Sequence, residues 1–460
     1  MDKHYTVTDM IVILLNKIHR KNSSLRLALS LQRKKYFPND KVFWSEVYTT
    51  IMDIEKYYIT ISKIEKFVFP KRNFSSIRSY LDLVSYWKFW EMKSSERIKL
   101  EGKKFFFSNN KNKRTFHSFL ESIEEISLKS ISATFTDPAE IWSFKFSLPA
   151  LMYSLLQPFY SVKELNLLGN WFNSASPTYI WINNQQDEFD VVLESIKSET
   201  TLIPVSSVKK SFIVGKGRPI QSLVDFKEGK ILIQNLGATI VAQLVPQLTG
   251  PATIIDLCAS PGNKTIQLFD KFSDGCTLLA GDIPGPRFKT LTDRVPTLLH
   301  AKDSFEPIPN TVGIQLIQKS KILQLRSWDG TNLPFEQNFA DLIFIDAPCT
   351  GSGTMNSKLD VRQLLDHEFL VKHLEIQQNL LQEADRILKS KGFIFYTTCS
   401  LLPDENETQI TNFLENNSNY SIIDLNHPLN SSSLLLSGSI KLFPPQSKTE
   451  GFFAILLQKK

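Results

Sequence analysis

The chain has 460 residues, of which 42% are hydrophobic and 22% are charged, as in globular proteins. A membrane span is not expected because no apolar run reaches roughly 18 residues, and the N-terminal MIVILLNKIHR lacks a signal-peptide cleavage site. The four cysteines form no CxxC pair and the seven histidines are not clustered, which argues against a disulfide framework and a zinc site. We therefore expect a soluble, cytoplasmic protein of two or three domains without a metal.

The positive charge is concentrated at the N-terminal end. Residues 1–150 hold 26 lysines and arginines against 16 aspartates and glutamates, whereas the remainder holds 27 against 31. A basic region of this kind can bind an anion such as nucleic acid. A solvated helical surface is the alternative that charge alone leaves open.

Residues 1–130 are predicted to be mostly helical. TVTDMIVILLNKIHRKN and KVFWSEVYTTIMDIEKYYITISKIEKFV place apolar residues three and four positions apart. The stretch KKFFFSNNKNKR (103–114) could offer cations to phosphates and rings to bases, although Phe105–Phe107 fit a protein core equally well. Residues 145–235 have a mixed pattern, with a helical piece before the strand TYIWINN, and predict a small α/β unit.

Regular alternation of strands and helices begins at about residue 231. The strand KILIQ leads to the helix LGATIVAQLVPQL, with Asn235 as a candidate N-cap. Further strands are predicted at ATIIDLC, CTLLAGDI, ILQLRSWDG, ADLIFIDAP and FIFYTTC, and a long helix before the last of them should end at Gly392. Continuous apolar strands in this rhythm predict a parallel, doubly wound sheet, which binds ligands at the carboxyl ends of its strands.

The segment IIDLCASPGNKTIQL (254–268) is predicted to be a strand, a tight turn and the beginning of a helix. It matches neither the GxGxxG dinucleotide fingerprint nor the phosphate-binding GxxxxGK[ST] loop. The next strand ends on Asp282, which is placed to accept hydrogen bonds from ribose hydroxyls. An adenosine-like cofactor is therefore indicated, and an ordinary turn with a surface aspartate is the alternative.

Two cysteines directly follow buried strands of this predicted sheet. Cys349 comes after LIFIDAP and close to Asp346, and Cys399 comes after FIFYTT and before the acidic LLPDENE. A single buried cysteine is more often packing than catalysis. Two thiols at the ligand edge, one of them beside an aspartate, predict a functional pair.

The motifs DLCASPGNKT, DAPCTGSGT and YTTCSLLPDENE, in this order, resemble the RNA cytosine-5 methyltransferases of the Fmu/Sun family. GKILIQNLGATIVAQL, SPTYIWINNQQDE and the closing GFFAILLQKK are similar to further segments of that family. The resemblance implies a Rossmann-like class I methyltransferase domain at 231–460. It also implies a small α/β subdomain at 141–230 and an all-α, NusB-like RNA-binding domain at 1–140.

The family also implies roles for individual residues. Cys399 would be the nucleophile that adds to C6 of a flipped cytosine, and Cys349 would assist product release. Asp346 would contact both the cytosine edge and the cofactor, S-adenosylmethionine. Asp282 would bind the ribose, Asp329 would face the adenine, and Arg287 aligns with a basic position of the family. The loop around the methionine moiety and the ribose would be formed by Cys258, Ala259, Ser260, Pro261, Gly262, Asn263 and Lys264.

The sequence departs from the family pattern at three places. Asn263 replaces a glycine, which we expect to be tolerated because asparagine also adopts positive φ. The two prolines and the extra glycine of GDIPGPRF are expected to reshape the adenine side. The Arg-rich segment that helps the family to grip RNA is reduced to MNSKLDVRQLL.

The expected activity is the methylation of C5 of an RNA cytosine by a monomer. An rRNA substrate is favoured by the NusB-like region, and tRNA is the alternative substrate. A catalytically retired RNA-binding assembly factor is the rival from another class, and the intact thiols and acids argue against it.

Overall fold

The computed structural model describes residues 5–21, 24–36, 40–70, 77–105, 109–183, 189–248, 250–301, 304–431 and 436–460. Its helices, in chain order, are α1 (Val7–Lys21), α2 (Leu25–Lys35), α3 (Lys41–Val68), α4 (Arg78–Phe89), α5 (Ser95–Gly102), α6 (Asn110–Glu124), α7 (Leu128–Ser132), α8 (Pro138–Phe146), α9 (Ala150–Leu156), α10 (Val162–Asn173), α11 (Phe189–Glu199), α12 (Val224–Lys227), α13 (Leu236–Leu244), α14 (Asn263–Lys271), α15 (Pro286–Leu298), α16 (Val361–Leu364), α17 (His367–Ile387), α18 (Glu407–Asn416) and α19 (Pro444–Ser447).

The strands are β1 (Tyr179–Ile182), β2 (Thr200–Pro204), β3 (Ser211–Gly217), β4 (Ile231–Ile233), β5 (Thr253–Asp256), β6 (Thr277–Asp282), β7 (Glu306–Pro307), β8 (Gly313–Gln318), β9 (Lys321–Ser327), β10 (Ala340–Asp346), β11 (Leu388–Thr398), β12 (Tyr420–Ile423), β13 (Ile440–Leu442) and β14 (Phe452–Lys459). The chain forms two compact units, one of residues 1–174 with 357–366 and the other of residues 175–356 with 367–460. The predicted domain boundaries at 140 and 230 stay predictions.

The first unit is helical, as the apolar spacing predicts. The long helix α3 buries one face, on which Val47, Ile51, Ile54 and Ile61 are all solvent-inaccessible. This face packs against α1 and α4. Of the predicted aromatic cluster, Phe105 packs edge-on against Phe116, whereas residues 106 and 107 lie outside the described residues.

The segment 357–366 belongs to this helical unit and is held there by Arg362, which is 1% exposed. Its guanidinium donates to the carbonyl oxygens of Lys56 at 2.9 Å and Phe172 at 2.6 Å, and to Asn173 Oδ1 at 2.9 Å. Burial lowers the pKa of Arg362 to about 9, which leaves it charged at neutral pH. In this arrangement the arginine of the thinned segment serves as an internal anchor and is inaccessible to a phosphate.

The second unit contains two sheets. The smaller sheet has the antiparallel order β2-β3-β1-β4. The larger one has the order β12-β14-β11-β10-β5-β6-β9-β8-β7, in which β11, β10, β5, β6 and β9 are parallel to one another. Residues Leu342 to Ile345 of β10 are fully buried, because helices and loops cover both faces of a parallel sheet.

The predicted Rossmann-like α/β fold with an all-α N-terminal region is confirmed, with antiparallel additions at both edges of the large sheet. Strand β14 runs antiparallel to β11, and β8 forms a hairpin with β9. The predicted closing strand GFFAILLQKK is β14, and Asn235 caps α13 by accepting a hydrogen bond from the Gly237 amide.

One local prediction was wrong, and the reason given for another does not apply. Helix α17 ends at Ile387 rather than at Gly392, because the following residues already pair with β10 and the left-handed turn is made by Lys391 at φ 64°. Asn263 does not need positive φ, because it is the first residue of α14 and Gly262 before it adopts φ +100°.

Candidate active site

The predicted site residues gather at one edge of the large sheet. Strands β5, β6, β9, β10 and β11 are parallel neighbours, so their carboxyl ends lie side by side. The loops that leave this edge carry residues 258–264 after β5, Asp282 at the end of β6, Asp329 after β9, Cys349 after β10 and Cys399 after β11.

The two cysteines lie next to each other, with their Sγ atoms 3.4 Å apart and both side chains half-buried. Strands β10 and β11 pair in register up to Asp346 and Thr397, and the Ala347 amide donates to the Thr397 carbonyl at 2.9 Å. The two loops therefore leave the sheet together. This register places two thiols that are 50 residues apart in the chain within contact distance.

The surroundings of the Cys349 thiol raise its pKa. Its hydrogen bond with Cys399 and its burial raise the pKa well above the usual range, and the negative charges of Cys399 and Glu405 act in the same direction. A thiol with a raised pKa is a poor spontaneous nucleophile at neutral pH but can hold or exchange a proton.

Lys264 and Asp346 form an ion pair at the same edge of the sheet, with Nζ and Oδ2 2.6 Å apart. Lys264 lies in the first turn of α14, and Asp346 is the last residue of β10. The pair links the loop after β5 to the loop that carries Cys349. Sequence reasoning named both residues but not their contact.

Asp282 is nearly inaccessible, and its carboxylate is fully hydrogen-bonded. Oδ1 accepts from the Ile283 amide and from Arg287 Nε, and Oδ2 accepts from the Ser260 amide and from Arg287 Nη2. These four donors use the lone pairs that a carboxylate offers. A ribose bound at Asp282 would have to displace Arg287, whose side chain is 51% exposed and can swing away.

The loop of residues 258–264 is hydrogen-bonded to β6, because the Ala259 amide donates to the Gly281 carbonyl at 2.9 Å. Glycine is required at 262, because its φ is positive and a Cβ there would lie 2.4 Å from Val295 Cγ2. Burial raises the pKa of the Cys258 thiol, which points to a packing role for that side chain. Pro261 lies at the turn, and Asn263 Oδ1 accepts from Arg294.

Asp329 is exposed, and its Oδ1 accepts hydrogen bonds from the amide and the hydroxyl of Thr331. This is an Asp-initiated turn, in which the other carboxylate oxygen is available to a ligand. Next to it, the Trp328 indole donates to the Leu257 carbonyl and fixes the turn against the end of β5.

Two acidic residues of this edge were not identified as site residues from the sequence. Asp256 ends β5, accepts from the Thr265 hydroxyl at 2.7 Å, and has its pKa raised by burial to about 7. Glu405 lies in the acidic LLPDENE segment and contacts the loop of Cys349. Their signals were an acid ending a buried strand and an acid directly after a strand-end thiol.

Two features are absent from the described residues. Within those ranges no helix is both long and apolar enough to cross a bilayer. The same ranges contain no group of three or more His, Cys, Asp or Glu side chains placed to hold a metal ion.

The whole chain has the fold of a solved protein. The crystal structure of PH0851 superposes with a TM-score of 0.77 at 21% identity and covers 99% of both chains. A methyltransferase homologue from Pyrococcus horikoshii superposes with a TM-score of 0.56 at 21% identity, covering 71% of this chain and all of its own. The fold is that of the Rossmann-like, S-adenosylmethionine-dependent methyltransferases.

Residues 243–458 match the family model described as 16S rRNA methyltransferase RsmB/F. The chain is 26% identical over 326 residues to a probable ribosomal RNA small subunit methyltransferase B of Synechocystis, covering 68% of this chain and 67% of that protein. The Coxiella burnetii protein of the same description is 25% identical over 288 residues, covering 62% of each chain. The chain thus spans about three fifths to two thirds of the length of these relatives.

Proposed function

We propose that this protein methylates C5 of a cytosine in small-subunit ribosomal RNA, with S-adenosylmethionine as the methyl donor. The observation that carries the proposal is the contact of two thiols at the ligand edge of a methyltransferase sheet, the edge that also carries the Lys264–Asp346 ion pair. The names of the matching family and relatives support rRNA as the substrate.

The thiol pair suits the chemistry of a pyrimidine ring. Cytosine C5 is a weak nucleophile, and it becomes reactive when the Cys399 thiolate forms a bond to C6, which is covalent catalysis. After methylation, the C5 proton has to leave so that the C5–C6 double bond reforms and the C6–sulfur bond breaks. Cys349 lies 3.4 Å from Cys399, where it can assist this proton transfer and the return of Cys399 as a thiolate.

The residues at this edge fit the cofactor of the fold class. S-adenosylmethionine, when bound, supplies the methyl group. Asp282 offers carboxylate oxygens to ribose hydroxyls once Arg287 moves aside, and Asp346 offers a partly exposed carboxylate to an ammonium or to the cytosine edge. Asp329 retains a free oxygen for the adenine side.

The direct test is a methylation assay with purified protein, radiolabelled S-adenosylmethionine and, in separate reactions, small-subunit rRNA or tRNA from cells that lack the protein. We expect labelled 5-methylcytidine after digestion to nucleosides, and none with the Cys399→Ala variant. Label in tRNA alone would favour the rival substrate. Cofactor binding without transfer to either RNA would favour the retired RNA-binding factor.

A second prediction concerns the proposed ribose site. Asp282→Asn should weaken S-adenosylmethionine binding about 10-fold or more, because hydrogen bonds to a charged acceptor are lost. Arg287→Ala should leave binding unchanged or slightly tighter, because it removes a competitor for the same oxygens. Isothermal calorimetry of both variants measures this. An equal loss in the two variants would show that Arg287 itself holds the cofactor.

A further inference from the structure

Two loops carry the cysteines and are hydrogen-bonded to each other. We name them the first thiol loop (residues 347–354) and the second thiol loop (residues 399–406). The Gly353 amide donates to the Cys399 carbonyl at 3.0 Å. Ser352 Oγ lies 2.8 Å from Ser400 Oγ and accepts from the Leu401 amide at 2.9 Å. These contacts fix the loops near Cys399 but do not touch the residues on either side of Cys349.

Those neighbours of Cys349 are held by Glu405. Its Oε1 accepts from the Thr350 amide at 2.7 Å, and its Oε2 accepts from the Thr350 hydroxyl. Gln377 of α17 donates from Nε2 to Glu405 Oε1 at 3.0 Å and to the Pro348 carbonyl at 2.9 Å. Thr350 is therefore bound directly to the Glu405 carboxylate, and Pro348 is linked to it through the side-chain amide of Gln377.

The Glu405 carboxylate is fully buried, and no lysine or arginine of the described residues lies within salt-bridge distance of it. A buried charge without a counter-ion is costly unless several donors satisfy it. Here an amide, a hydroxyl and a carboxamide do so, and the Tyr396 hydroxyl fixes the Glu405 backbone by donating to its carbonyl at 2.8 Å. The second thiol loop thus presents a rigid acceptor to the first.

We propose that Glu405 is a positioning residue that holds Cys349 against Cys399 for the product-release step. This inference rests on the proposed function for its chemical consequence, but the positioning itself can be tested without RNA. Glu405 touches the backbone that carries Cys349 and does not contact the reacting atoms.

The expected result is selective slowing of release. In Glu405→Ala the first thiol loop loses two hydrogen bonds and Gln377 loses a third. A displacement of about 1 Å at a reacting group can cost about 100-fold in rate. The ratio of covalent protein–RNA adduct to released methylated RNA, read on denaturing gels after a single turnover, should therefore rise towards the value of Cys349→Ala. Glu405→Gln should be milder, because its carbonyl oxygen can still accept from the Thr350 amide and from Gln377.

Glu407→Gln is the matched control. Glu407 is also buried and lies two residues further on, but its partner is Lys441 at 2.7 Å rather than the first thiol loop. This variant should lower the melting temperature without changing the ratio of adduct to product. If both glutamate variants change the ratio equally, the effect is general loosening of the segment and the inference is wrong.

Two further measurements keep the test decisive. Thr350→Val removes one donor and keeps the backbone bond, so it should shift the ratio in the same direction by on the order of 10-fold even if Glu405→Ala fails to fold. Cross-linking of Cys349 to Cys399 with dibromobimane needs no RNA, and its yield should fall in Glu405→Ala and Thr350→Val but not in Glu407→Gln. The positioning role would be overturned by the following combination. Cys349→Ala forms the adduct, but the Glu405 and Thr350 variants keep the wild-type ratio of adduct to product and the wild-type cross-linking yield. No adduct in Cys349→Ala would overturn the proposed role of Cys349 in product release instead, and the cross-linking yields would still decide the positioning role.

Discussion

Replacing Cys399 by alanine is expected to abolish methylation, whereas Cys349→Ala is expected to leave the RNA covalently attached to the protein. Removal of a catalytic nucleophile costs on the order of 10⁴-fold or more in kcat. Cys349→Ala keeps the attacking thiol but removes its neighbour at 3.4 Å, so the C6–sulfur bond should form and then persist. Denaturing gels of labelled RNA, run after incubation with the cofactor, distinguish the two outcomes.

Cys276→Ala is the control for this pair. Cys276 is a buried cysteine whose Sγ donates to the Gly250 carbonyl, and it lies before β6 in the core cluster. Its replacement should leave both methylation and gel mobility as in the wild type. An adduct in Cys399→Ala and none in Cys349→Ala would exchange the roles of the two thiols, and adduct in neither would exclude the covalent route.

Arg362→Met is expected to destabilise the helical unit by about 3 kcal/mol or more. The substitution keeps an apolar stem of similar length but leaves two carbonyl oxygens and Asn173 Oδ1 without their donor, and each buried unsatisfied acceptor costs about 1–3 kcal/mol. For a unit of this size, that corresponds to a fall in melting temperature of roughly 6–12 °C. Thermal unfolding measures the loss, and hydrogen exchange should increase in 147–173 and 357–366.

The melting temperature of Arg362→Lys should lie between those of the wild type and Arg362→Met, because a single ammonium cannot reach all the acceptors that the planar guanidinium reaches. Arg218→Ala serves as the surface control, since Arg218 is 53% exposed and pairs with Glu199 at the surface. Its loss should cost less than about 1 kcal/mol. If Arg362→Met melts like the wild type, the guanidinium contacts do not stabilise the unit.

The local chemistry of the site could be identified from the sequence because each of its residues follows a strand that can be predicted from its own residues. The apolar run LIFID is buried on both faces, and the residues after it have to lie at the carboxyl edge of the sheet. The same reasoning applied to Cys399 and Asp282. The resemblance to a family then supplied roles that spacing alone could not, including which thiol attacks.

The pairing of side chains could not be predicted in the same way. The 3.4 Å contact of the thiols follows from the register of β10 on β11, and the Lys264–Asp346 ion pair joins the first turn of α14 to the last residue of β10. Neither depends on local propensity. The end of α17 was misplaced for the same reason, since pairing with β10 draws Leu388 into a strand although the local pattern favours helix.

The sequence by itself determined the alternation of strands and helices, the helical N-terminal region and the positions of the two thiols after strand ends. These features depend on the pattern of apolar and polar residues within short segments. Only the tertiary structure decided that Arg362 is an internal anchor, that Arg287 covers Asp282 and that Glu405 holds the residues around Cys349. Those three facts concern which distant donor reaches which buried acceptor. Such pairings are set by the packing of whole elements, over separations of up to 306 residues in the case of Arg362 and Lys56.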